Sequence, residues 1–377
     1  MNTQELLTRG VATVLPTKDM VEKLLSSDKK LNVYLGIDPT ATRIHLGHAV
    51  ALRKLQAFVE LGHNVTFLIG DFTALIGDTS DKDTERPVLT SEEIKTNFET
   101  YKEQASKILD FSKVSVVHNS EWLSKLTFTD IVKLCQNFSV GDFVGRELIK
   151  KRLADGKKVG LHETLYPVMQ GYDSYHLDTD IQIGGSDQTF NMLAGRTLQK
   201  NLRNKESFVL CVDYLPGTDG RKMSKSWGNA IWLTDEPNDM YGKVMSLKDE
   251  LIKTYFSLAT AVGSEGIDFS NPLLSKKQLA FQIVSELYGN DAAHEAQEYF
   301  EKTFQKAEPE FKEELSLTGE GTVLDVLSGK VGSTSELKRL VHANAVEVNG
   351  EVVTNIKMQL KSGDKVQVGK RGFYTIS

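Results

Sequence analysis

YLGIDPTATRIHLGH, residues 34–48, is the stretch on which the fold prediction depends. An apolar strand leads into it, a Gly/Pro turn follows at residues 36–39, and a helix with an apolar face begins near Leu46. Such a turn leaves free backbone N–H groups and the positive end of the helix dipole facing an anion. The stretch therefore predicts a phosphate-binding turn in a nucleotide-binding sheet.

Polar side chains of this turn point to the same chemistry. His45 and His48 lie three residues apart where the helix begins, and Thr40 precedes them. From these positions all three can reach phosphate oxygens in front of the turn. The histidines can equally well cap the helix or lie on its solvent-exposed face.

A second motif, Lys222-Met223-Ser224-Lys225-Ser226, lies far downstream between Gly220 and Gly228. Two lysines around small residues, in a loop bounded by glycines, could close over phosphates and neutralise them. The alternative interpretation is a basic surface loop.

Apolar strands alternate with helical segments through the first 230 residues. The predicted strands are Val33–Gly36, Asn64–Gly70, Val114–His118, Ile181–Gly184 and Val209–Val212. Alternating strands and helices predict a Rossmann-like, doubly wound parallel sheet with its site at the carboxyl ends of the strands. Residues 1–30 are predicted as one or two short helices, interrupted at Pro16. Thr90 and Glu93 form a predicted capping box before the clearest helix.

The remaining chain is predicted to be helical and then α+β. Residues 127–161 are predicted to be helices interrupted by glycines. They could form an inserted hairpin used in self-association or simply a solvent-exposed face. Residues 235–315 read as helical throughout and as a separate domain. A basic helix at Ser335–Asn344, a hairpin turning at Asn349-Gly350 and a strand at Lys365–Val368 follow. We therefore predict a Rossmann-like domain over 1–230, an α-helical domain over 231–318 and a small α+β domain over 319–377.

Composition indicates an ordinary globular protein, with 40% hydrophobic and 25% charged residues in a chain of 377. No apolar run is long enough to span a bilayer, and the first ten residues do not resemble a signal peptide. Cys135 and Cys211 are isolated and lack metal-ligand spacing. These features predict a cytoplasmic enzyme without a membrane partner.

The net charge of −6 disfavours generic nucleic-acid binding, but the charge is uneven. Residues 333–377 contain seven Lys and Arg against four Asp and Glu. A basic tail on an acidic body points to a polyanion docking at one end.

Three further polar groups are candidates for a binding site. Tyr166, Gln170 and Asp173 share one helical face, which could also be plain surface. Asp187 follows a strand end in Gly184–Gln188 and could take both hydroxyls of a ribose, or the turn could be structural. Thr73 and Asp78, in the loop Gly70–Asp78, could hold an ammonium group.

The two signatures, HLGH and KMSKS, resemble those of class I aminoacyl-tRNA synthetases. With YxGxDPTA, GDxTAxIGD, HNSEWL, YxxxQxxD and GGSDQ in this order, nearly the whole chain resembles bacterial tyrosyl-tRNA synthetases. The tail, with Ser335-Glu336-x-x-Arg339-Leu340 and Ala345–Gly350, resembles a small RNA-binding module shared with a ribosomal protein and pseudouridine synthases. Leu46 replaces the more usual Ile, and the tail has fewer arginines than usual.

This resemblance implies roles for individual residues. Tyr34 and Asp173 would contact the phenolic hydroxyl of tyrosine, and Gln188 would lie by its carboxylate. The residues expected to hold its ammonium group are Asp78, Tyr166 and Gln170, with Thr73 as a further tyrosine contact. The expected ATP contacts are Gly36, Asp38, His45, Gly47, His48, Gly185, Asp187, Met223 and Lys225, with Asp187 on the ribose.

The implied reaction is activation of L-tyrosine by ATP with Mg²⁺, followed by transfer to tRNA(Tyr). Adenylate formation needs positioning and positive charge on the departing phosphates, but no general base. The residues assigned to that work are Thr40, His45, His48, Lys222 and Lys225. The expected RNA contacts are Lys338, Arg339, Lys370 and Arg371.

The resemblance also implies that residues 1–230 are the catalytic domain, that residues 231–318 bind the anticodon and that residues 319–377 bind RNA. It further implies a homodimer and no protein-bound metal. Two alternatives remain open at this point. One is the tryptophan-specific enzyme, because Asp173 could also accept from an indole N–H. The other is a synthetase-like scaffold that binds structured RNA without catalysis.

Overall fold

In a computed structural model of the chain, the described residues are 2–39, 42–77, 90–223, 227–305, 311, 313–318, 321–369 and 372–377. Five of the predicted site residues lie outside these ranges: Thr40, Asp78, Lys225, Lys370 and Arg371. Within the described ranges, no helix is both long and apolar enough to cross a membrane.

A six-stranded sheet forms the centre of the first 212 residues. Its strands are β1 (Val11–Leu15), β2 (Asn32–Ile37), β3 (Asn64–Ile69), β4 (Ser115–His118), β5 (Ile181–Gly185) and β6 (Phe208–Val212), in the order β1-β6-β5-β2-β3-β4. Strands β2 to β6 pair in parallel, as the doubly wound prediction required. The order reverses between β2 and β5, which leaves a crevice at their carboxyl ends.

The prediction of helix for residues 11–15 was wrong. This segment is strand β1, which pairs antiparallel with β6, Leu15 lying opposite Val209. Val11, Thr13 and Val14 are β-branched, and such side chains fit a pleated surface better than a helix. Pro16, which has no backbone N–H, follows directly and ends the pairing.

Ten helices surround this sheet in the described part of the chain. They are α1 (Thr3–Leu6), α2 (Lys18–Leu25), α3 (Leu46–Glu60), α4 (Ser91–Ala105), α5 (Ser120–Leu123), α6 (Phe128–Cys135), α7 (Val140–Val144), α8 (Glu147–Ala154), α9 (Leu161–His176) and α10 (Thr189–Arg203). The predicted capping box before α4 is confirmed: the Thr90 hydroxyl accepts from the Glu93 N–H at 3.2 Å, and the Glu93 carboxylate accepts from the Thr90 N–H at 2.8 Å.

The region after Asp235 is helical as far as residue 305. It contains α11 (Pro237–Met245), α12 (Ile252–Ala259), α13 (Pro272–Tyr288), α14 (Asn290–Phe300) and a π-helical turn at Glu301–Gln305. One cluster of buried apolar side chains extends from Leu6 on α1 to Ala296 on α14. These helices therefore share a core with the sheet, and a boundary near residue 230 stays a proposal about chain organisation.

The C-terminal residues form a second sheet with its own buried core. Its elements are β7 (Glu313–Leu315), α15 (Val323–Leu327), α16 (Thr334–His342), β8 (Val346–Val348), β9 (Glu351–Val352), β10 (Lys365–Val368) and β11 (Gly372–Ile376), with strand order β7-β11-β10-β8-β9. The predicted hairpin turn is present, with positive φ at Asn349 (51°) and Gly350 (84°). Because β7 pairs with β11, the prediction of helix up to residue 315 was wrong.

Candidate active site

A cavity of about 240 Å³ opens at the carboxyl ends of β2 and β5, where the strand order reverses. Nine predicted site residues line it: Tyr34, Gly36, Asp38, His48, Thr73, Tyr166, Gln170, Asp173 and Gln188. They come from β2 and the turn after it, α3, the turn after β3, α9 and the turn after β5. The fold thus brings most of the described candidates to one place, although their roles stay predictions.

The innermost polar end of the cavity is built around Asp173, which is 2% exposed. Trp122 Nε1 donates to Asp173 Oδ1 at 2.7 Å, and Asn119 Nδ2 donates to Asp173 Oδ2 at 3.1 Å. Sequence reasoning gave neither donor a role, although both belong to the HNSEWL motif quoted above. Their signal was the motif itself, because a buried carboxylate needs donors and this segment supplies two.

Burial keeps the Asp173 carboxyl protonated at neutral pH. Loss of solvation raises the pKa of Asp173 to about 8; the negative charges of Asp38 and Asp71 add to the rise, while the two hydrogen bonds oppose it. Tyr34 lies nearby and is buried, and its hydroxyl donates to Gln182 Oε1 at 3.1 Å. Burial and the charge of Asp173 raise the Tyr34 pKa well above its usual value, so this phenol also stays neutral.

The titration of Asp173 gives a testable pH dependence of stability. Between the ordinary aspartate pKa of 3.8 and the raised pKa of about 8, the folded protein holds more protons at this site than the unfolded chain. The free energy of unfolding should therefore fall as the pH rises through this window. The lowered pKa values of the histidines described below act with the opposite sign around pH 6.5, and comparison with a variant that keeps both histidines cancels their contribution.

Urea unfolding of the ligand-free protein from about pH 6.5 to 8.5 measures this effect. The control is Asp173→Asn, which keeps an acceptor but cannot ionise. We expect wild type to lose stability relative to this variant as the pH rises. Parallel pH profiles for the two proteins would contradict a raised Asp173 pKa.

Asp38 links the two halves of the cavity. Its carboxylate accepts from the Tyr166 hydroxyl at 2.8 Å and from Thr73 Oγ1 at 2.7 Å. Thr73 Oγ1 in turn accepts from Asn119 Nδ2 at 3.1 Å, so hydrogen bonds run continuously from Tyr166 to Asp173. The sequence assigned Asp38 to ATP, whereas its carboxylate lies between two side chains assigned to tyrosine.

The two signature histidines form the N-terminus of α3. His45 is its N-cap residue, and Nδ1 of His45 accepts from the Gly47 N–H at 3.2 Å. His48 Nδ1 accepts from the His45 N–H at 3.2 Å, and the two rings lie 3.9 Å apart. A Cβ on residue 47 would lie 2.9 Å from His45 Nδ1, which explains the glycine. Helix capping, left open by the sequence, is thus observed.

Both histidines are neutral at pH 7. Loss of solvation, helped by the positive charge of Lys222, lowers the pKa of His45 to about 3 and that of His48 to about 4, although His48 keeps solvent-accessible surface. Because each Nδ1 is an acceptor, each ring carries its hydrogen on Nε2. The histidines can therefore donate hydrogen bonds to phosphate, but in the empty site they supply no positive charge.

The second signature lies against the first. Met223 is buried, and its sulfur lies 3.8 Å from where a Cβ of Gly47 would be. Lys222 is exposed, close enough to depress both histidine pKa values. Further on, the Leu46 N–H donates to the Ile231 carbonyl at 2.9 Å, which joins the two segments by backbone pairing. Residues 224–226 of the signature lie outside the described residues.

The remaining candidates lie at the edges of the cavity or far from it. Gly185 ends β5, and Asp187 is exposed on the turn that follows. Lys338 and Arg339 are exposed on α16, where Arg339 pairs with Glu336 through Nη2–Oε1 at 2.6 Å. These two described members of the predicted RNA contacts therefore lie on the C-terminal unit and not among the residues that line the cavity.

Comparison with known proteins identifies the family. Residues 26–305 match the family described as tRNA synthetases class I (W and Y), and residues 322–366 match the S4 domain. A tyrosine–tRNA ligase of Carboxydothermus hydrogenoformans is 45% identical over 397 aligned residues, covering 99% of this chain and 97% of that protein. A tyrosine–tRNA ligase of Haemophilus influenzae is 43% identical, covering 97% and 94%.

Solved structures share the fold at lower identity. A C-terminally truncated mitochondrial tyrosyl-tRNA synthetase of Aspergillus nidulans superimposes with a TM-score of 0.66 at 22% identity, over 80% of this chain and 94% of that one. The tyrosyl-tRNA synthetase of Archaeoglobus fulgidus, solved with L-tyrosine, gives 0.61 at 23% identity, over 79% and 100%. The chain therefore belongs to the tyrosyl-tRNA synthetase family of class I tRNA synthetases and carries an S4 domain over residues 322–366.

Proposed function

We propose that the cavity between β2 and β5 is where this tyrosine–tRNA ligase joins tyrosine to ATP. The observation that supports the proposal most is the meeting of both signature segments at one rim of a cavity with a buried polar end. A phenol is the ligand chemistry that fits such an end, since its hydroxyl can both donate and accept. Magnesium is proposed only as the counter-ion that accompanies ATP as substrate.

In the proposed first step, a carboxylate oxygen of tyrosine attacks the α-phosphorus of ATP. A new oxygen–phosphorus bond forms, the bond to the bridging oxygen breaks, and pyrophosphate leaves with the electron pair. His45 and His48 would donate Nε2–H hydrogen bonds to the phosphates, while Lys222 and Lys225 would supply charge. In the second step, a hydroxyl of the 3′-terminal ribose of tRNA attacks the tyrosyl carbonyl, and AMP leaves.

The amino-acid contacts are proposed from the family resemblance, together with the cavity lining for all of them except Asp78, which lies outside the described residues. Tyr34 and Asp173 would meet the phenolic hydroxyl, and Gln188 would lie by the carboxylate. Tyr166, Gln170 and Asp78 would hold the ammonium group. We further propose that Asp38 acts mainly as a positioning residue, because its carboxylate already holds Tyr166 and Thr73.

Charging of tRNA(Tyr) with tyrosine by the purified protein tests the overall reaction. Accumulation of tryptophanyl-tRNA would favour the tryptophan-specific enzyme, and binding of tRNA without charging would favour the non-catalytic scaffold.

The S4 unit is proposed to bind tRNA independently of adenylate formation. Its core of buried side chains is separate from the main core, and β7 belongs to it. We therefore move the proposed start of this unit from residue 319 to about residue 311. A cut at Gly332 would divide its core by removing the partners of Val323, Val326 and Leu327.

Truncation after Gln305 should leave pyrophosphate exchange nearly intact and reduce tRNA charging sharply. The salt dependence of tRNA binding should flatten, because each lost phosphate contact removes about 0.7–0.9 from the log–log slope. Lys338→Ala in the full chain should lower the slope by the amount expected for one lost phosphate contact. Full-rate charging by the truncated protein, with an unchanged salt slope, would mean that this unit does not bind the substrate tRNA.

A homodimer is proposed from an exposed apolar surface. Phe128, Val140 and Leu161 are 80%, 75% and 81% exposed, and all lie in the segment 127–161 that the sequence offered for self-association. Exposed apolar side chains mark an interface when they form one contiguous patch, which is what the proposal requires of these three. Sedimentation equilibrium should show a dimer for wild type and a monomer for Phe128→Glu/Leu161→Glu. Val262→Glu, at a residue 57% exposed elsewhere, is the control and should stay dimeric; a monomeric wild type would contradict the proposal.

A further inference from the structure

Positive charge is scarce on the wall of the cavity. Among the described residues that line it, Asp38 and Asp173 are acidic, His48 is neutral and Arg43 alone carries a permanent positive charge. A triphosphate carries several negative charges, so the part of the wall that contacts the phosphates needs positively charged groups. Arg43 lies on the segment between the phosphate-binding turn and His45, and the sequence analysis gave it no role.

Arg43 is held at the mouth of the cavity by the segment that follows the second signature. Its guanidinium carbon lies 4.7 Å from the centre of the Trp232 ring. Its Nε donates to Thr234 Oγ1 at 3.0 Å, and Nη2 lies 3.4 Å from Asp235 Oδ1. The Arg43 side chain is still 47% exposed, which leaves much of the guanidinium open to a ligand.

Asp235 does not neutralise Arg43. Its carboxylate lies 2.5 Å from Lys243 Nζ and accepts from the Trp232 N–H at 2.8 Å, both closer than the contact to Arg43. Two cations therefore share one carboxylate, so Asp235 does not balance the charge of both. The Trp232 ring also lies 5.7 Å from the His45 ring, so one aromatic side chain packs beside both residues.

We propose that Arg43 is a further phosphate-binding residue of the adenylation site, held in place by Trp232 and Thr234. The proposal rests on the proposed function and extends it to the leaving group. As the bond between the α-phosphorus and the bridging oxygen breaks, pyrophosphate takes the electron pair, and the guanidinium stabilises that charge. A guanidinium suits this task because it stays charged and presents planar, paired donors.

Two substitutions at position 43 separate charge from shape. Arg43→Gln removes the charge, whereas Arg43→Lys keeps it. Arg203→Gln is the matched control, because Arg203 also lies over an aromatic ring (Tyr175, 4.4 Å) and beside an aspartate (Asp178, 3.5 Å) but does not line the cavity. The measurements are calorimetric binding of inorganic pyrophosphate, the ATP KM in pyrophosphate exchange, and binding of tyrosine alone.

Arg43→Gln should weaken pyrophosphate binding and raise the ATP KM by about 10–100-fold, the usual range for a hydrogen bond to a charged group. Arg43→Lys should recover part of the loss, and tyrosine binding should stay within about twofold of wild type, as should all measurements on Arg203→Gln. Unchanged pyrophosphate binding in Arg43→Gln would overturn the inference. So would an equal loss of tyrosine and pyrophosphate binding, which would make Arg43 a structural tie to Trp232.

The outcome also distinguishes this inference from the proposed function. Wild type without tyrosine-dependent exchange would contradict the proposed function itself. Wild type with normal exchange, beside an unaffected Arg43→Gln, would contradict the role of Arg43 alone. A double-mutant cycle with Trp232→Leu should give losses in pyrophosphate binding that are not additive, because Trp232 acts through Arg43; additive losses would contradict that link.

Discussion

Replacing His48 by Ala should lower the rate of tyrosine-dependent pyrophosphate exchange by about 10²–10³-fold, or roughly 2–4 kcal/mol of transition-state stabilisation, with little change in the tyrosine KM. The neutral ring offers an Nε2–H donor to phosphates whose charge grows as pyrophosphate departs. That contact strengthens in the transition state, so its loss should appear in kcat. Lys225→Ala should behave similarly, because the lysine is assigned to the same phosphates.

The structure adds a complication that the variants must separate. His48 Nδ1 also accepts the His45 N–H, so alanine removes part of the helix cap, which costs about 0.5–2 kcal/mol of stability. His48→Asn keeps an acceptor and a donor on one side chain and should retain more activity than His48→Ala. Asn271→Ala, which removes the N-cap of α13, controls for loss of a cap far from the cavity. A rise in the tyrosine KM as the main effect would instead place His48 in the amino-acid pocket.

Discrimination between tyrosine and phenylalanine should collapse by orders of magnitude when Tyr34→Phe is combined with Asp173→Ala. A site built to pair a hydroxyl rejects the analogue that lacks it, since buried polar groups would be left without partners. The figure of about 10⁵ against phenylalanine is the one known for tyrosyl-tRNA synthetases and is adopted here, not calculated from this cavity.

Removing Asp173 also strips Trp122 Nε1 and Asn119 Nδ2 of a shared acceptor, so the double variant will be less stable than wild type. Asp173→Asn with Tyr34→Phe keeps an acceptor there and protects the measurement against unfolding. Tyr101→Phe is the control: Tyr101 is another buried tyrosine of the same cavity, but it packs edge-on against His48 at 6.5 Å and should leave discrimination unchanged. Ratios of kcat/KM for the two amino acids give the result, and wild-type discrimination below about a hundredfold would contradict the assignment to tyrosine.

Local sequence patterns predicted the fold well where they were unambiguous. The strand–turn–helix stretch of residues 34–48 and the alternation of strands with helices required a doubly wound sheet, and five of its six strands were expected. The prediction for residues 11–15 failed because a run of five apolar or small residues fits the helical period and the strand period equally well. Only the pairing with β6 decides between helix and strand. The prediction for β7 failed for the same reason. Its three residues, Glu313–Leu315, form a strand because they pair with β11.

The individual site residues could be predicted from the sequence, but the hydrogen bonds that connect them could not. Helical spacing placed Tyr166, Gln170 and Asp173 on one face, and the structure has all three lining the cavity. No local pattern shows that Asn119 joins Thr73 to Asp173, because these residues are far apart in sequence. Nor does residue type show that the histidines are neutral, since local loss of solvation and the nearby charge of Lys222 set their pKa values.

Tyrosine-dependent exchange of radioactive pyrophosphate into ATP, measured without tRNA, tests the central claim most directly. We predict rapid exchange with tyrosine, at least a hundredfold less at equal concentrations of phenylalanine or tryptophan, and a steep loss in His48→Ala. Exchange that is absent with tyrosine, or that tryptophan supports better, would contradict the account of this cavity as the site of tyrosyl-adenylate formation.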